Sequence, residues 1–286
     1  MIRPARWVLL SLAMFLLLGL AGWTGPQPPA AGKLAILLTN DDGYGAPGLR
    51  AMAEGLQTLG EVWIAAPAED YGGKGHSVML HDPILVDEKG ESGGAKWYAI
   101  HAPPATCVRL AVESLLPRRP DLVVSGINRG DNLGITVYHS GTVGGAREAA
   151  IVGVPAIAVS IRGDDAKDYQ AAATFIRQLV EKLRAAGLLK PGLFLNVNVP
   201  AGERKGVRMA QLSTKPRHDT FERRTNPRRR VYFWPDFQQR QEDDEGTDVA
   251  AFVRGYITIT PMTLDATDTG RMEALRILNL ETPATR

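Results

Sequence analysis

The chain has 286 residues, 44 % of them hydrophobic, enough to bury a sizeable core in one large α/β domain or one domain with an appendage. With 33 basic against 31 acidic residues, no global field draws it to nucleic acid. Its one cysteine, Cys107, excludes an intramolecular disulfide and any C-x-x-C redox or zinc site.

The N-terminus, "MIRPARWVLLSLAMFLLLGLAGW", places Arg3 and Arg6 before an apolar stretch from Trp7 to Ala21. A basic head, a short apolar body and small residues at Gly19 and Ala21 spell a secretory signal peptide over residues 1–21, with an uncleaved N-terminal anchor as the rival reading. Either one exports the domain, so the chain is expected in the periplasm and meets a membrane only through this segment. Residues 22–33 are a Pro-rich spacer.

From Leu34 onward, short apolar runs alternate with amphipathic segments. "KLAILLTN" is a buried strand; the next segment carries Leu49, Met52, Leu56 and Leu59 at helical spacing; "EVWIAAP" is again a strand. "PATCVRLAVESLL" is a helix in which Cys107 is a structural thiol. "PDLVVSGIN" is a strand, "SGTVGGAREAAIVGV" a helix, "PAIAVSI" a strand, "DYQAAATFIRQLVEKLRAAG" a helix and "LFLNVNVP" a strand. This alternation predicts an α/β, Rossmann-like, three-layer core with a mostly parallel sheet over residues 34–205. Residues 206–286 change texture: "GVRMAQLS", "RRVYFWPDF" and "GYITITPM" are strands around a basic and an acidic stretch, a β-rich appendage with a hairpin. The basic run Arg223–Arg230 is a solvated hairpin, with no dedicated nucleic-acid partner.

"LLTNDDGYGAPGL" poses the functional question. Gly43, Gly45 and Gly48 make G-x-G-x-x-G after a strand, the dinucleotide fingerprint. Asp41 and Asp42, however, occupy the place where a pyrophosphate would lie, and two carboxylates repel an anion unless a cation stands between them. Adjacent carboxylates at a strand end offer oxygens to a hard divalent cation; a plain Asn-Asp-Gly turn is the bland alternative. "DLVVSGINRGDNLG" adds Asn128, a neutral oxygen ligand at another strand end, and Asn132. In "YHSGTVGGAREAA", Ser140, Gly141 and Thr142 open a helix, where hydroxyls and free N–H groups cap the helix or hold an anion. An acidic metal site beside an anion site points to phosphate-ester hydrolysis.

Five blocks in register carry a resemblance: "LLTNDDGYGAPGL", "VWIAAPAEDYGGKGHSVML", "PDLVVSGINRGDNLG", "YHSGTVGGAREAAIVGVPAIAVS" and "EGTDVAAFVRGYITITPMTLD". Together they resemble the SurE family of metal-dependent 5′/3′-nucleotidases. The resemblance implies hydrolysis of nucleoside monophosphates and related phosphomonoesters with one Mg²⁺ or Mn²⁺ per subunit. It also implies a homodimer or homotetramer built through residues 206–286. The implied metal ligands are Asp41, Asp42 and Asn128; Asp41, with Asn40 beside it, is the implied catalytic group; Ser140, Gly141, Thr142 and Asn132 are the implied phosphate and substrate contacts. His76 is a substrate contact, a general acid or a residue that positions its loop. Three features depart from the family pattern. Gly72 stands where a fourth ligand, a serine, is usual, with Glu69 and Asp70 displaced before it; Thr106 replaces an aspartate; and the export signal is unusual. The weakened ligand set leaves a second reading, a non-catalytic nucleotide- or phosphate-binding protein on the same fold, and the glycine pattern leaves a dinucleotide-dependent oxidoreductase as an outsider.

Overall fold

Six apolar or β-branched residues, Leu34–Thr39, form strand β1, buried along its whole length. Strand alternation sends Leu34, Ile36 and Leu38 into one apolar cluster and Ala35 and Leu37 into another, so β1 has a helix-covered core on both faces. Each fully buried Leu or Ile there contributes about 1.5–3 kcal/mol, which makes this strand a rigid support for the loop leaving its carboxyl end. The computed structural model describes residues 32–216, 219–236 and 242–280. The stretch read as a signal peptide, and nearly all of the spacer, lie outside the described residues. Among those described, no helix is long and apolar enough to cross a membrane.

After β1 come helix α1 (Pro47–Leu56), β2 (Gly60–Pro67), the hairpin β3 (Val86–Ser92) and β4 (Ala95–Ile100), and α2 (Pro104–Leu110), which continues into a π-turn at Ala111–Leu115. Next are β5 (Leu122–Arg129), a 3₁₀ turn (Gly134–Tyr138), α3 (Gly141–Ile151), β6 (Ala156–Ile161), α4 (Ala166–Ala185) and β7 (Phe194–Val199). The remaining elements are β8 (Val207–Met209), β9 (Thr220–Thr225), β10 (Val231–Asp236), α5 (Asp248–Val253), β11 (Ile257–Pro261), α6 (Thr269–Leu275) and a closing 3₁₀ turn (Arg276–Leu278).

Among the described residues the main sheet has nine strands in the order β3-β4-β2-β1-β5-β6-β7-β11-β8. The run from β4 to β7 is parallel, and β3 and β11 are antiparallel to their inner neighbours. Helices α1 and α4 cover one face through Leu49, Met52, Ile176 and Val180. Helices α2 and α3 cover the other through Val108, Val143 and Ala146. This is the Rossmann-like three-layer α/β fold expected from the alternation. Cys107 is buried in the second cluster with its thiol donating to the Ala102 carbonyl, and burial pushes its pKa up.

Beyond residue 206, strands β8 and β11 extend the main sheet, and among the described residues β9 and β10 pair apart from it, as an exposed antiparallel hairpin. The chain leaves β1 toward β2 on one side and returns to β5 on the other, so the β1/β5 junction is the topological switch point. In open α/β sheets ligands bind beyond the strand ends at that crevice.

Candidate metal and phosphate site

A cleft of about 520 Å³ opens at the switch point, walled by Asp41, Asp42, Asp70, Asn128, Ser140 and Arg162 among others. Asp41 and Asp42 leave the end of β1, Asn128 lies in the last residues of β5, and Ser140 caps α3. The β5–β6 register shifts between Ser125 and Asn128, and an irregularity of that kind re-aims the side chains after it. The Gly126–Ile127 peptide in the same stretch is cis.

Asp41 is tied to α3. Its Oδ1 accepts a hydrogen bond from the Thr142 hydroxyl, and the Thr142 backbone N–H also bonds the carboxylate. The carboxylate therefore lies against the positive end of the α3 dipole. Gly141 permits this approach: a Cβ there would meet Asp41 Cβ and Oδ2 at 2.8 Å. Ser140 Oγ accepts from the Val143 N–H at 3.1 Å, so its hydroxyl caps the helix while lining the cleft. Asp42 is fixed from β5, its Oδ2 accepting from the Arg129 N–H at 3.3 Å. Asn128 Nδ2 donates to the Gly130 carbonyl at 2.6 Å, which leaves Oδ1 as the amide's open end.

Burial pushes the Asp41 carboxyl up despite its bonds to Thr142. Burial, and then the charge of Asp41, push Asp42 up to about 7. Two carboxylates held this way resist ionising together unless a cation joins them. Asn40 Oδ1, one residue before, is buried without a hydrogen-bond partner among the described residues. An oxygen-only set of the Asp41 and Asp42 carboxylates and the Asn128 amide on the cleft wall suits a hard divalent cation whose remaining ligands are waters. Among the described residues no three His, Cys, Asp or Glu side chains gather around one metal position.

The other sequence-predicted residues lie around this centre in different roles. Asn40 is fully buried behind the loop, its Nδ2 closing the turn onto the Gly43 carbonyl at 2.8 Å, where Gly43 takes a φ of +96°. Asn132 lines the cleft, but its side-chain Nδ2 donates to Ser160 Oγ and its carbonyl accepts from Asn196 and Asn198, so its amide braces the loop after β5. His76 Nε2 lies 2.7 Å from Glu148 Oε2, away from the cleft lining. Gly72 lines the cleft, and its N–H donates to Asp70 Oδ1 at 2.6 Å. The Asp70 carboxylate raises both Asp41 and Asp42, and a Cβ at 72 would lie 3.0 Å from Asp70 Oδ1. Asp70 is thus the neighbour placed beside the position of the absent serine. Thr106 Oγ1 accepts from the Met79 N–H at 2.8 Å, a neutral link in the aspartate's place. Gly43, Gly45 and Gly48 are not part of the cleft wall.

Sequence reasoning did not find the buried Glu148. Burial alone would raise its carboxyl, but hydrogen bonds from His76 and Arg109 hold it below the usual range. It also did not find the Asp131–Arg162 pair in the cleft wall. Both join residues far apart in the chain, and no local pattern marks them.

A family model described as Survival protein SurE matches residues 36–219. A protein of Desulfitobacterium hafniense (strain DSM 10664 / DCB-2), named 5′-nucleotidase SurE, is 43 % identical over 253 residues, 87 % of this chain and 98 % of its own. The 5′-nucleotidase SurE of Pelotomaculum thermopropionicum is 41 % identical over 249 residues, 86 % of this chain and 95 % of its own. Among solved structures, the SurE protein from Aquifex aeolicus superposes with a TM-score of 0.74 at 33 % identity, over 85 % of this chain and 99 % of that one.

Proposed function

The chain belongs to the SurE family, and from that premise we propose that it is a metal-dependent nucleotidase that hydrolyses nucleoside 5′- and 3′-monophosphates. The observation that carries this reading is one cleft walled by the buried Asp41 and the half-buried Asp42, with Asp41 bonded to the capped N-terminal turn of α3.

Asp41, Asp42 and Asn128 would hold one Mg²⁺ or Mn²⁺ per subunit, with Asp70 beside the position left by the missing serine. When bound, the cation draws charge from the phosphate and lowers the pKa of an attacking water. Ser140 presents its hydroxyl and the helix start to the phosphate, and the α3 dipole stabilises charge there. Thr142 fixes the Asp41 carboxylate in one orientation, and Gly141 lets the helix start come close enough to do so. His76 is held by Glu148, which Arg109 also grips, and this anchors the loop that carries Asp70 and Gly72. Tyr71 adds a second anchor, its N–H donating to the Asp41 carbonyl at 2.8 Å.

Two further properties belong to the same reading. The hairpin exposes Phe221, Phe233 and Trp234, which supports a homodimer or homotetramer formed through this end of the chain. The basic and apolar N-terminal sequence supports export to the periplasm, with membrane attachment only where that segment is retained; mass spectrometry of exported protein beginning at Gly22 would test cleavage. The activity is tested by assaying phosphate release from AMP, GMP and p-nitrophenyl phosphate with Mg²⁺, with Mn²⁺ and after chelation. Metal-dependent release from the nucleotides supports the reading, and nucleotide binding without turnover under any metal would replace it with the non-catalytic alternative.

A further inference from the structure

We propose that Arg162 is the surface on which the base of the substrate stacks, and that Asp131 holds it flat for that purpose. The inference rests on the nucleotidase reading for where the phosphate sits. The cleft volume of about 520 Å³ falls in the range of roughly 300–1,000 Å³ that encloses whole small ligands. A phosphate at Asp41, Asp42 and Ser140 therefore leaves most of it for the rest of the ester. Arg162 follows β6 directly, two strands across the sheet from β1. At about 4.8 Å per strand spacing that is roughly 10 Å from the phosphate end, a span suited to a ribose with its base.

The guanidinium is built as a platform. Asp131 grips it in a two-point fork, with Nε to Oδ1 at 3.0 Å and Nη2 to Oδ2 at 3.2 Å. Phe252 lies behind it with the guanidinium carbon 4.7 Å from the ring centre. That ring is 2 % exposed and takes no part in the cleft wall, whereas both Arg162 and Asp131 do. With the fork fixing its plane and the ring supporting one face, the other face is left to the cleft; the Arg162 side chain is 30 % exposed. Asp131 neutralises its charge, which makes a flat π-surface a better match than a second phosphate. Arg stacks in this way on aromatic rings, and a Lys ammonium does not reproduce its plane.

The test compares wild type with Arg162→Ala and Arg162→Lys. Steady-state kinetics are taken on AMP and on glycerol 2-phosphate, and adenosine and inorganic phosphate affinities are measured by calorimetry. Both variants are expected to raise the KM for AMP and weaken adenosine about tenfold, the scale of a partly desolvated cation–π contact. The kcat, the KM for glycerol 2-phosphate and the phosphate affinity should stay within twofold. An equal rise for both esters, rescue by lysine, or unchanged adenosine affinity would overturn the proposal. If wild type hydrolyses neither ester, the functional reading fails, and the adenosine affinities still decide the base platform.

Discussion

Gly141→Ala sets two effects against each other. Helix propensity favours Ala over Gly by at most about 1 kcal/mol, the helix-interior value, and by less at Gly141, the first residue of α3; Gly141 does not have a positive φ, so the backbone raises no objection. Sterically, the new Cβ would lie 2.8 Å from Asp41 Cβ and Oδ2 and 3.1 Å from Cγ. Non-bonded carbons settle near about 3.5–4.0 Å, so relief from 2.8 Å requires a retreat of roughly 0.7–1.2 Å. Asp41 is bonded to Thr142 in the same helical turn, and the two cannot part without breaking that bond. Overpacking costs about 1–3 kcal/mol, which leaves a net loss of about 0–3 kcal/mol after a propensity gain of at most about 1 kcal/mol. The chemical effect is larger, because misplacing a reacting group by about 1 Å costs on the order of 100-fold. Phosphate release from AMP under saturating Mn²⁺, with a thermal melt of the same samples, reads both. The expected outcome is a fall in kcat/KM of about 100-fold, with Tm unchanged or lowered by a few degrees. Activity within threefold of wild type and a raised Tm would refute the close approach of α3 to Asp41.

The raised Asp42 carboxyl, at about 7 against an ordinary 3.8, gives a prediction for pH. Its folded value lies above its unfolded one, so the cation-free fold is favoured in the protonated form and loses stability as pH rises from 3.8 through about 7. A cation competes with that proton, so calorimetry should find Mn²⁺ binding about tenfold tighter at pH 8 than at pH 6. Added Mn²⁺ should also raise the Tm more at the higher pH. Glu148→Gln removes the charge that grips His76 and Arg109 and should destabilise the fold by about 1–3 kcal/mol in a denaturant titration; because the wild-type carboxyl is held low, its contribution is present at neutral pH and lost on acidification. Phe233→Glu combined with Trp234→Glu puts charge on the exposed hairpin face and should lower the mass seen by light scattering. An unchanged mass would place the subunit contact elsewhere.

The parallel core was legible because β1, β2, β5 and β6 are buried on both faces and carry near-continuous apolar runs, while β7, "FLNVNV", alternates apolar residues with the buried Asn196 and Asn198. Hairpin β3–β4 escaped because β3 reads "VDEKGES", an exposed edge with no apolar alternation. Strand β9 hid in a basic run, "TFERRT", for the same reason. The "GVRMAQLS" strand shrank to Val207–Met209 because it pairs only with β11 at the sheet's edge. Within the site, the residues next to one another in sequence, Asp41–Asp42 and Ser140–Thr142, could be found from spacing. The side chains that brace them could not, since Glu148 meets His76 across 72 positions and Asp131 meets Arg162 across 31. The role of Asp70 beside Gly72 likewise depends on how its loop folds back over Asp41.

Asp41→Asn tests the central claim most directly, because it keeps the shape at the end of β1 and removes one negative charge. Phosphate release from AMP with Mn²⁺ should fall at least about 1,000-fold, on the scale of losing a principal charge-stabilising group. Calorimetric Mn²⁺ affinity should fall with it while the melt stays cooperative. Turnover and Mn²⁺ affinity within a few-fold of wild type would contradict the assignment of this strand end as the metal and phosphate site.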